Sequence, residues 1–325
     1  MRVFITGATG FLGSALARAL TRAGVEVHAL ARAAADRSVL EGTPITWHLG
    51  DVAAPTSLRG AMEGAEWIVH AAGRLGEAGV REDVYQRLHV EGTRNVLAEA
   101  LTLGNPARVL HVSTAGVVGP TPGSAATEEA AYRPTNAYER SKAAAEKVAL
   151  EFDSRGLPVV VCRPAFVYGP GDRHVLGLFQ AIRGGRFFFI DGGRHECHPT
   201  LIADVVAGMM LCLRKGRPGA IYNLAGPRAV TFRELGETIA AAMGVRAPRL
   251  ALPRWAAMLG ASGLELLAWA SRRKPPLSRT AVAFFSEDRW YSWQRAQEEL
   301  GYTPEVDLAA GIARTVAWYR ERGWL

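Results

Sequence analysis

A glycine-rich segment near the amino terminus constrains the fold of this chain more than any other feature. Gly7, Gly10 and Gly13 follow an apolar run at residues 2–6 and lead into residues 11–23, whose apolar side chains recur at helical spacing. Glycines allow a tight turn and a close approach of the backbone to a ligand, and N–H groups at a helix start attract phosphate. The segment therefore predicts a dinucleotide-binding loop. The residues expected to contact the dinucleotide are Gly7, Thr9, Gly10, Phe11 and Leu12.

The first half of the chain alternates short apolar runs with helical patterns, which is typical of a parallel sheet covered by helices on both faces. Strands are predicted at residues 2–6, 25–30, 45–49, 67–70, 108–112 and 158–162, and long helices over residues 84–103 and 137–152. We predict an α/β fold, a Rossmann-type doubly wound parallel sheet of six strands within residues 1–165. A smaller C-terminal substrate-binding domain is expected over residues 166–325, with an approximate boundary and a chain that crosses back.

Composition and charge narrow the class of protein. The 325 residues are 49% hydrophobic and 21% charged, which excludes a disordered, collagen-like or coiled-coil chain. The net charge of +7 suits a phosphate-bearing ligand or an anionic surface, but we interpret the basic residues as dispersed and expect no nucleic acid partner. The three widely spaced cysteines indicate reduced thiols. Without a recognisable signal peptide or a membrane-spanning run, a cytoplasmic location is expected.

The end of the second predicted strand bears on the choice of dinucleotide. An acidic residue there would bind the adenosine 2′-hydroxyl of NAD, but the strand ends in Arg32. A cation at this place favours the 2′-phosphate of NADP, while NAD stays possible. The alternative is that Arg32 is a solvated surface residue, because exposed arginines are common.

A tyrosine and a lysine four residues apart carry the candidate chemistry. Tyr138 and Lys142 lie on one face of the predicted helix, so the ammonium is expected to lower the pKa of the phenol and allow proton exchange with a hydroxyl or carbonyl. Such pairs also occur on many solvated helices. The pair gains its weight from the glycine loop in the same chain.

With these motifs the sequence resembles the extended branch of the short-chain dehydrogenase/reductase superfamily. The resemblance is to NAD-dependent epimerase/dehydratase and 3β-hydroxysteroid dehydrogenase-like or dihydroflavonol reductase-like proteins, and it runs nearly end to end. Beyond the glycine loop and the Tyr138–Lys142 pair, it rests on residues 50–52, 68–72, 90–93, 112–115, 163–172 and 300–304.

The resemblance implies further roles. Thr114 is expected to hold the substrate oxygen, and Lys142 the nicotinamide ribose as well. Contact with the cofactor is also expected from Arg32, Asp51, Val52, Ala71, Ala72, Tyr138, Pro164 and Val167. The resemblance further implies a homodimer.

The chain departs from the family pattern at two positions. His89 stands where the family motif Asn-Val-x-Gly-Thr has asparagine, so a supporting polar contact is expected to differ. Phe166 stands where relatives that bind nucleotide sugars often have asparagine, which counts against a nucleotide-sugar epimerase.

Two further sets of residues have side chains of the kinds that bind metals or apolar ligands. His195, Cys197 and His198 are too close in sequence to surround one tetrahedral ion, so no metal site is predicted. Apolar side chains in the second half predict a pocket for an apolar substrate, with the alternative that they belong to the core. These side chains are Phe166, Phe187, Phe188, Phe189, Ile190, Trp255, Leu259, Leu266 and Trp269. For residues 255–270 core packing is favoured over weak contact with a membrane surface.

We therefore predict an oxidoreductase, using NADP or NAD, that moves a hydride between the nicotinamide and a secondary alcohol or ketone of a sterol-like or aromatic small molecule. Tyr138 would donate the proton, Thr114 would hold the oxygen and Lys142 would stabilise the phenolate. The alternatives are a sugar epimerase or dehydratase and, outside enzymes, an NADP-binding regulator without turnover.

Overall fold

The computed structural model describes residues 1–77, 79–104, 106–271, 275 and 277–325, excluding the side chains of residues 269–271. The strands of this part are β1 (Arg2–Thr6), β2 (Glu26–Ala31), β3 (Ile45–Leu49), β4 (Trp67–His70), β5 (Arg108–Val112), β6 (Val159–Pro164), β7 (Phe166–Tyr168), β8 (Phe189–Ile190), β9 (Glu196–Cys197), β10 (Pro199–Leu201), β11 (Ile221–Leu224), β12 (Val230–Thr231) and β13 (Ala251–Leu252). The α-helices are α1 (Phe11–Arg22), α2 (Glu82–Tyr85), α3 (Gly92–Thr102), α4 (Ala137–Ser154), α5 (Leu176–Arg183), α6 (Ile202–Lys215), α7 (Phe232–Met243), α8 (Arg254–Ser271), α9 (Arg279–Phe285), α10 (Gln294–Leu300) and α11 (Leu308–Glu321).

Seven of the described strands form one parallel sheet in the order β11-β6-β5-β4-β1-β2-β3. Successive side chains of a strand point to opposite faces, and both faces are covered. Val3 and Ile5 belong to one apolar cluster, while Phe4 belongs to the cluster on the other face. The predicted doubly wound α/β fold is confirmed.

The order of the strands reverses between β1 and β4. From β1 the chain adds β2 and β3 on one side, and then returns to add β4, β5 and β6 on the other. In open parallel sheets this reversal creates a crevice at the carboxyl ends of the strands, where ligands bind. The glycine loop follows β1 directly, so it lies at this crevice.

The predicted number of six strands is wrong, because β11 from the second half of the chain completes the sheet. Its four residues pair in parallel with β6, in a register that joins Asn223 to Arg163. A four-residue run is too short to stand out against the irregular sequence around it. The division into residues 1–165 and 166–325 stays a prediction.

The helix predicted over residues 84–103 is interrupted. Between α2 and α3, Gln86–Glu91 forms a π-helical turn. Such turns occur inside α-helices mostly as single bulges, frequently at functional sites. The turn carries His89, one of the two departures from the family pattern.

The predicted helix 137–152 is α4. It begins after Asn136, whose side-chain oxygen accepts a hydrogen bond of 2.9 Å from the Glu139 N–H and so satisfies a backbone donor of the first turn. This cap fixes where Tyr138 and Lys142 fall relative to the sheet.

The second half adds three short strand pairs and most of the remaining helices. β7 pairs with β10, β12 with β9, and β13 with β8. No helix in the described part of the chain combines the length and the apolar character needed to cross a membrane.

Candidate active site

The glycine loop closes against the end of β4. Gly7 has φ of +79°, which favours glycine, and a Cβ on it would lie 2.5 Å from the carbonyl of Ala71 and 2.6 Å from the Ala72 nitrogen. A Cβ on Gly13 would overlap the Gly7 oxygen. Gly10 is the N-cap of α1, and no side chain of the described residues makes a capping hydrogen bond there. The structure thus brings the predicted residues Ala71 and Ala72 to the same crevice as the loop.

The adenine end of the crevice is formed by β2 and the turn after β3. Arg32 follows β2 and is exposed, and its side chain makes no hydrogen bond or ion pair within the described residues. The Asp51 carboxylate accepts a 2.9 Å hydrogen bond from the Ala53 N–H. The Asn95 amide donates to the Val52 carbonyl at 2.9 Å. Asp51 and Val52 therefore lie in a fixed turn, and Arg32 is available for a ligand.

Tyr138 and Thr114 are brought together by α4 and the end of β5. The Thr114 hydroxyl lies near enough to the Tyr138 phenol to lower its pKa, and the Thr114 oxygen accepts a hydrogen bond from the Gly116 N–H at 3.2 Å. Gly76 packs on the Tyr138 ring, since a Cβ there would lie 3.3 Å from the Tyr138 Cβ. The two predicted catalytic hydroxyls are thus neighbours beside the crevice.

The prediction that Lys142 lowers the pKa of Tyr138 is wrong in this structure. Burial raises the pKa of Tyr138 to about 12, and the nearby Thr114 hydroxyl only partly opposes this. The phenol is therefore protonated at neutral pH, the form that can donate a proton.

Lys142 is directed to the sheet. Its Nζ donates a 2.6 Å hydrogen bond to the carbonyl of Val112. Burial lowers the pKa of Lys142 to about 8, and the nearby Glu146 opposes the shift. This hydrogen bond holds the Lys142 ammonium at the last residue of β5, Val112, which comes two residues before Thr114 in the sequence.

His89 connects three parts of the site. Its Nε2 accepts a 3.0 Å hydrogen bond from the Arg74 N–H, so Nδ1 carries the proton and donates to the Ser141 hydroxyl at 2.8 Å. The Ser141 hydroxyl donates to the Tyr138 carbonyl at 2.7 Å. The His89 ring also meets the Tyr138 ring edge to face, with centroids 5.7 Å apart. Because burial lowers the pKa of His89 to about 3, the ring is neutral.

A chain of buried polar groups continues beneath the site. Thr6 bonds His70 at 2.8 Å, and the other ring nitrogen of His70 bonds Thr93 at 3.0 Å. The Thr93 hydroxyl donates to the carbonyl of His89. Within the described residues, neither ring nitrogen of the buried His111 has a partner. We have no physical account of that histidine.

Sequence reasoning missed Arg289. This buried residue reaches α4 from a distant segment, and its guanidinium donates to Glu139 at 2.7 Å, to Thr135 at 3.0 Å and to Glu287 at 3.0 Å. It fixes the residue next to Tyr138. The ion pair spans 150 residues of sequence, and no local spacing could have shown it.

The region expected to lie beside the nicotinamide follows β6. Pro164 is the buried last residue of β6, and Val167 pairs with Thr200 between β7 and β10. Phe166 contacts Phe284 of α9, with ring centroids 5.4 Å apart. Phe284 belongs to a connected network of aromatic rings in which each ring contacts at least one other. Its members are Phe187, Phe189, Phe232, Phe284 and Phe285.

The pocket predicted from apolar side chains is only partly supported. Phe189 and Ile190 are buried core residues. Trp255, Leu259 and Leu266 are 69%, 67% and 66% exposed on α8, so the prediction that they wall the pocket is wrong. The side chain of Trp269 lies outside the described residues.

The side chains of His195 and His198 contact other residues of the fold. His195 lies 3.3 Å from Asp288, while His198 bonds the Gly226 carbonyl at 2.9 Å and accepts from the Tyr291 N–H at 3.2 Å. In the described part of the chain no three of the His, Cys, Asp and Glu side chains are grouped as a metal site would require.

The comparisons with known proteins agree with this geometry. Residues 3–225 match the NAD dependent epimerase/dehydratase family. The chain is 32% identical to sterol demethylase protein B of Methylococcus capsulatus, and the match covers 100% of both chains. It is also 32% identical to the 4-hydroxy-2-methyl-3-oxo-4-farnesyl-3,4-dihydroquinoline-1-oxide ketoreductase of Stigmatella aurantiaca, and that match covers 96% of this chain and 95% of that protein. The crystal structure of DesIV, a dTDP-glucose 4,6-dehydratase from Streptomyces venezuelae with NAD bound, has a TM-score of 0.80 and 28% identity and covers 100% of this chain and 98% of that one. Together with the glycine cradle and the paired Thr114 and Tyr138, these matches show that the chain belongs to the NAD-dependent epimerase/dehydratase family of extended short-chain dehydrogenases/reductases, which are enzymes that use a nicotinamide dinucleotide.

Proposed function

We propose that this enzyme is an NADP-preferring reductase or dehydrogenase that moves a hydride between the nicotinamide and a secondary alcohol or ketone of an apolar substrate. The observation that carries the proposal is the protonated Tyr138 phenol on α4, with the Thr114 hydroxyl near it at the end of β5, beside the dinucleotide crevice. A proton donor and a second hydroxyl at one point can bind a single substrate oxygen.

The crevice fits the cofactor. The space at Gly7 and Gly13 that a Cβ would fill lies between the glycine loop and Ala71, and no side chain of the described residues makes a capping hydrogen bond at the start of α1. The cofactor would be held by the glycine loop, Arg32, the turn at Asp51 and Val52, Ala71 and Ala72, and Lys142 together with Pro164 and Val167. When bound, it supplies or accepts the hydride.

The chain's own residues handle the proton. In the reductive direction Thr114 holds the carbonyl oxygen, and Tyr138 donates a proton to it as negative charge develops. Lys142, whose ammonium donates to the Val112 carbonyl, would hold the nicotinamide ribose beside them. Oxidation is the reverse.

The proposed preference for NADP rests on Arg32. Its guanidinium is exposed and without a partner among the described residues, at the end of the strand where the 2′ substituent is expected. A charge-assisted hydrogen bond to a phosphate is stronger than one to a hydroxyl.

Two features support an apolar substrate. Phe166 and Phe284 form an aromatic wall next to the expected nicotinamide position, and such walls gain most from an apolar ligand. Arg289, a buried cation that reaches the residue next to Tyr138, is already paired with Glu139 and Glu287. It therefore offers no free charge to a sugar diphosphate. The similarity to a sterol demethylase protein and a quinoline ketoreductase also favours an apolar substrate.

A sugar epimerase or dehydratase is the second candidate, favoured by the similarity to DesIV. In that reaction the cofactor is reduced and reoxidised without net consumption. The experiment is a parallel assay of 3β-hydroxysteroids, dihydroflavonol-like ketones and UDP-sugars with NADPH or NADP and with NADH or NAD, read by nicotinamide absorbance and product analysis. Turnover confined to the UDP-sugars would replace the first proposal by the second.

We also propose a cytoplasmic homodimer that associates weakly with membrane surfaces. The free, buried thiols of Cys162, Cys197 and Cys212 support a reducing location. Sedimentation equilibrium tests the dimer, and a monomer at micromolar concentration would contradict it.

A further inference from the structure

Helix α8 exposes large apolar side chains and buries small ones, which is the reverse of the pattern expected for a helix that packs only against a folded core. Trp255, Leu259 and Leu266 lie along one side and are about two-thirds exposed. The side that is buried carries the small residues Ala257 and Ala261. An amphipathic surface helix normally buries its large apolar side chains and exposes polar ones.

The sequence that includes this helix is rich in basic residues. Residues 246–279 contain seven basic residues and one acidic residue, so this segment carries a net charge of +6 out of the chain's +7. Arg246 and Arg249 precede α8 and are exposed, and Arg272, Arg273 and Lys274 follow it in the sequence. The single acid, Glu265, is held by Arg279 at 2.7 Å. The interpretation of the basic residues as dispersed is therefore wrong for this segment.

The partner that matches an apolar face with basic ends is an anionic lipid bilayer. Tryptophan and leucine side chains enter the boundary between headgroups and acyl chains, while lysine and arginine attract anionic headgroups. A second copy of this chain fits less well, because two such faces would bring two segments of like charge together.

The helix is also connected to the candidate active site by apolar packing. Ala257 and Ala261 of α8 pack with Val282 of α9 and with Phe285. Phe285 touches Phe284, which touches Phe166. Continuous apolar packing therefore connects the buried side of α8 with Phe166.

We infer that the exposed face of α8, made of Trp255, Leu259 and Leu266, is a docking surface for anionic membranes and that the exposed Arg246 and Arg249 before this helix contribute positive charge to it. The inference rests on the proposed membrane association and names the surface that produces it.

The test is cosedimentation of the full chain with phosphatidylcholine vesicles, with and without phosphatidylglycerol, over a series of salt concentrations. We expect binding to the anionic vesicles that falls with salt. The double variant Leu259→Glu/Leu266→Glu should bind at least about tenfold more weakly. Leu49→Glu is the matched control, since Leu49 is 61% exposed on the distant strand β3.

The outcomes separate the two claims. If the unmodified chain binds neither kind of vesicle, the membrane association itself is wrong and the inference fails with it. If the unmodified chain binds and the double variant binds equally well, association stands but α8 is not the surface. If the variant changes only the mass measured by light scattering, the face joins two copies of the chain, which also overturns the inference. Circular dichroism checks that both variants are folded.

Discussion

The cofactor side and the substrate side of this site are built by different means. On the cofactor side, backbone geometry defines the site: Gly7 and Gly13 leave space that a Cβ would fill, and both belong to one short segment of the sequence. On the substrate side, side chains from distant segments meet, as Phe166 does with Phe284 and Glu139 with Arg289. Spacing in a sequence can therefore reveal a cofactor more readily than a substrate.

The largest expected effect concerns Tyr138, which lies between the cofactor side and the substrate side of the site. Tyr138→Phe removes the proposed proton donor and keeps the ring, so turnover should fall by about a hundredfold or more. Affinity for NADPH, measured by its fluorescence, should be preserved. Tyr222→Phe is the matched control, because the Tyr222 hydroxyl donates to Glu299 at 2.6 Å and to no residue of the candidate site. Near-normal turnover of Tyr138→Phe would remove Tyr138 from the mechanism.

A second change tests whether backbone space defines the cofactor side. Gly13→Ala places a Cβ against the Gly7 oxygen, so the loop must shift and NADPH affinity should fall by at least about tenfold. Gly177→Ala is the control, since a Cβ there meets nothing within 4 Å. Equal NADPH affinity in Gly13→Ala and the control would show that the loop does not hold the cofactor.

A third change alters the one charged contact proposed on the cofactor side. Arg32→Asp should repel the 2′-phosphate and accept the 2′-hydroxyl, shifting the NADP-to-NAD affinity ratio toward NAD by about tenfold. The exposed Arg183, replaced by Asp in the same way, serves as the control for net charge. Equal affinity of the unmodified chain for NAD and NADP would already contradict the proposal.

The smallest expected effect concerns His89, which links the two sides. His89→Ala removes both ring hydrogen bonds and the contact with Tyr138, so kcat should fall by about fivefold with a smaller change in NADPH affinity. His89→Asn retains a donor toward Ser141 and should lose less. Because the pKa of His89 is about 3, it contributes no ionisation to the kcat profile of the unmodified chain between pH 5 and 8. A histidine ionisation there that His89→Asn abolishes would contradict this role.

The sequence predicted the parallel sheet and the glycine crevice because each depends on local spacing, whereas the role of Thr114 beside Tyr138 came from the family resemblance. It could not predict the seventh strand, a four-residue run that pairs across the chain, nor the buried ion pair of Arg289. It also assigned the opposite direction to the pKa shift of Tyr138. Spacing placed an ammonium nearby, but the effect of burial on the phenol depends on packing that only the folded chain creates.

The most direct test of the central claim is a single-turnover reaction with NADPH deuterated at C4 and a ketone that the assay identifies as substrate. The account predicts one NADPH oxidised per product and deuterium at the new carbinol carbon, with the rate reduced in Tyr138→Phe. Product that forms without net oxidation of NADPH, or without deuterium at that carbon, would contradict hydride transfer to the substrate and support the epimerase or dehydratase reaction.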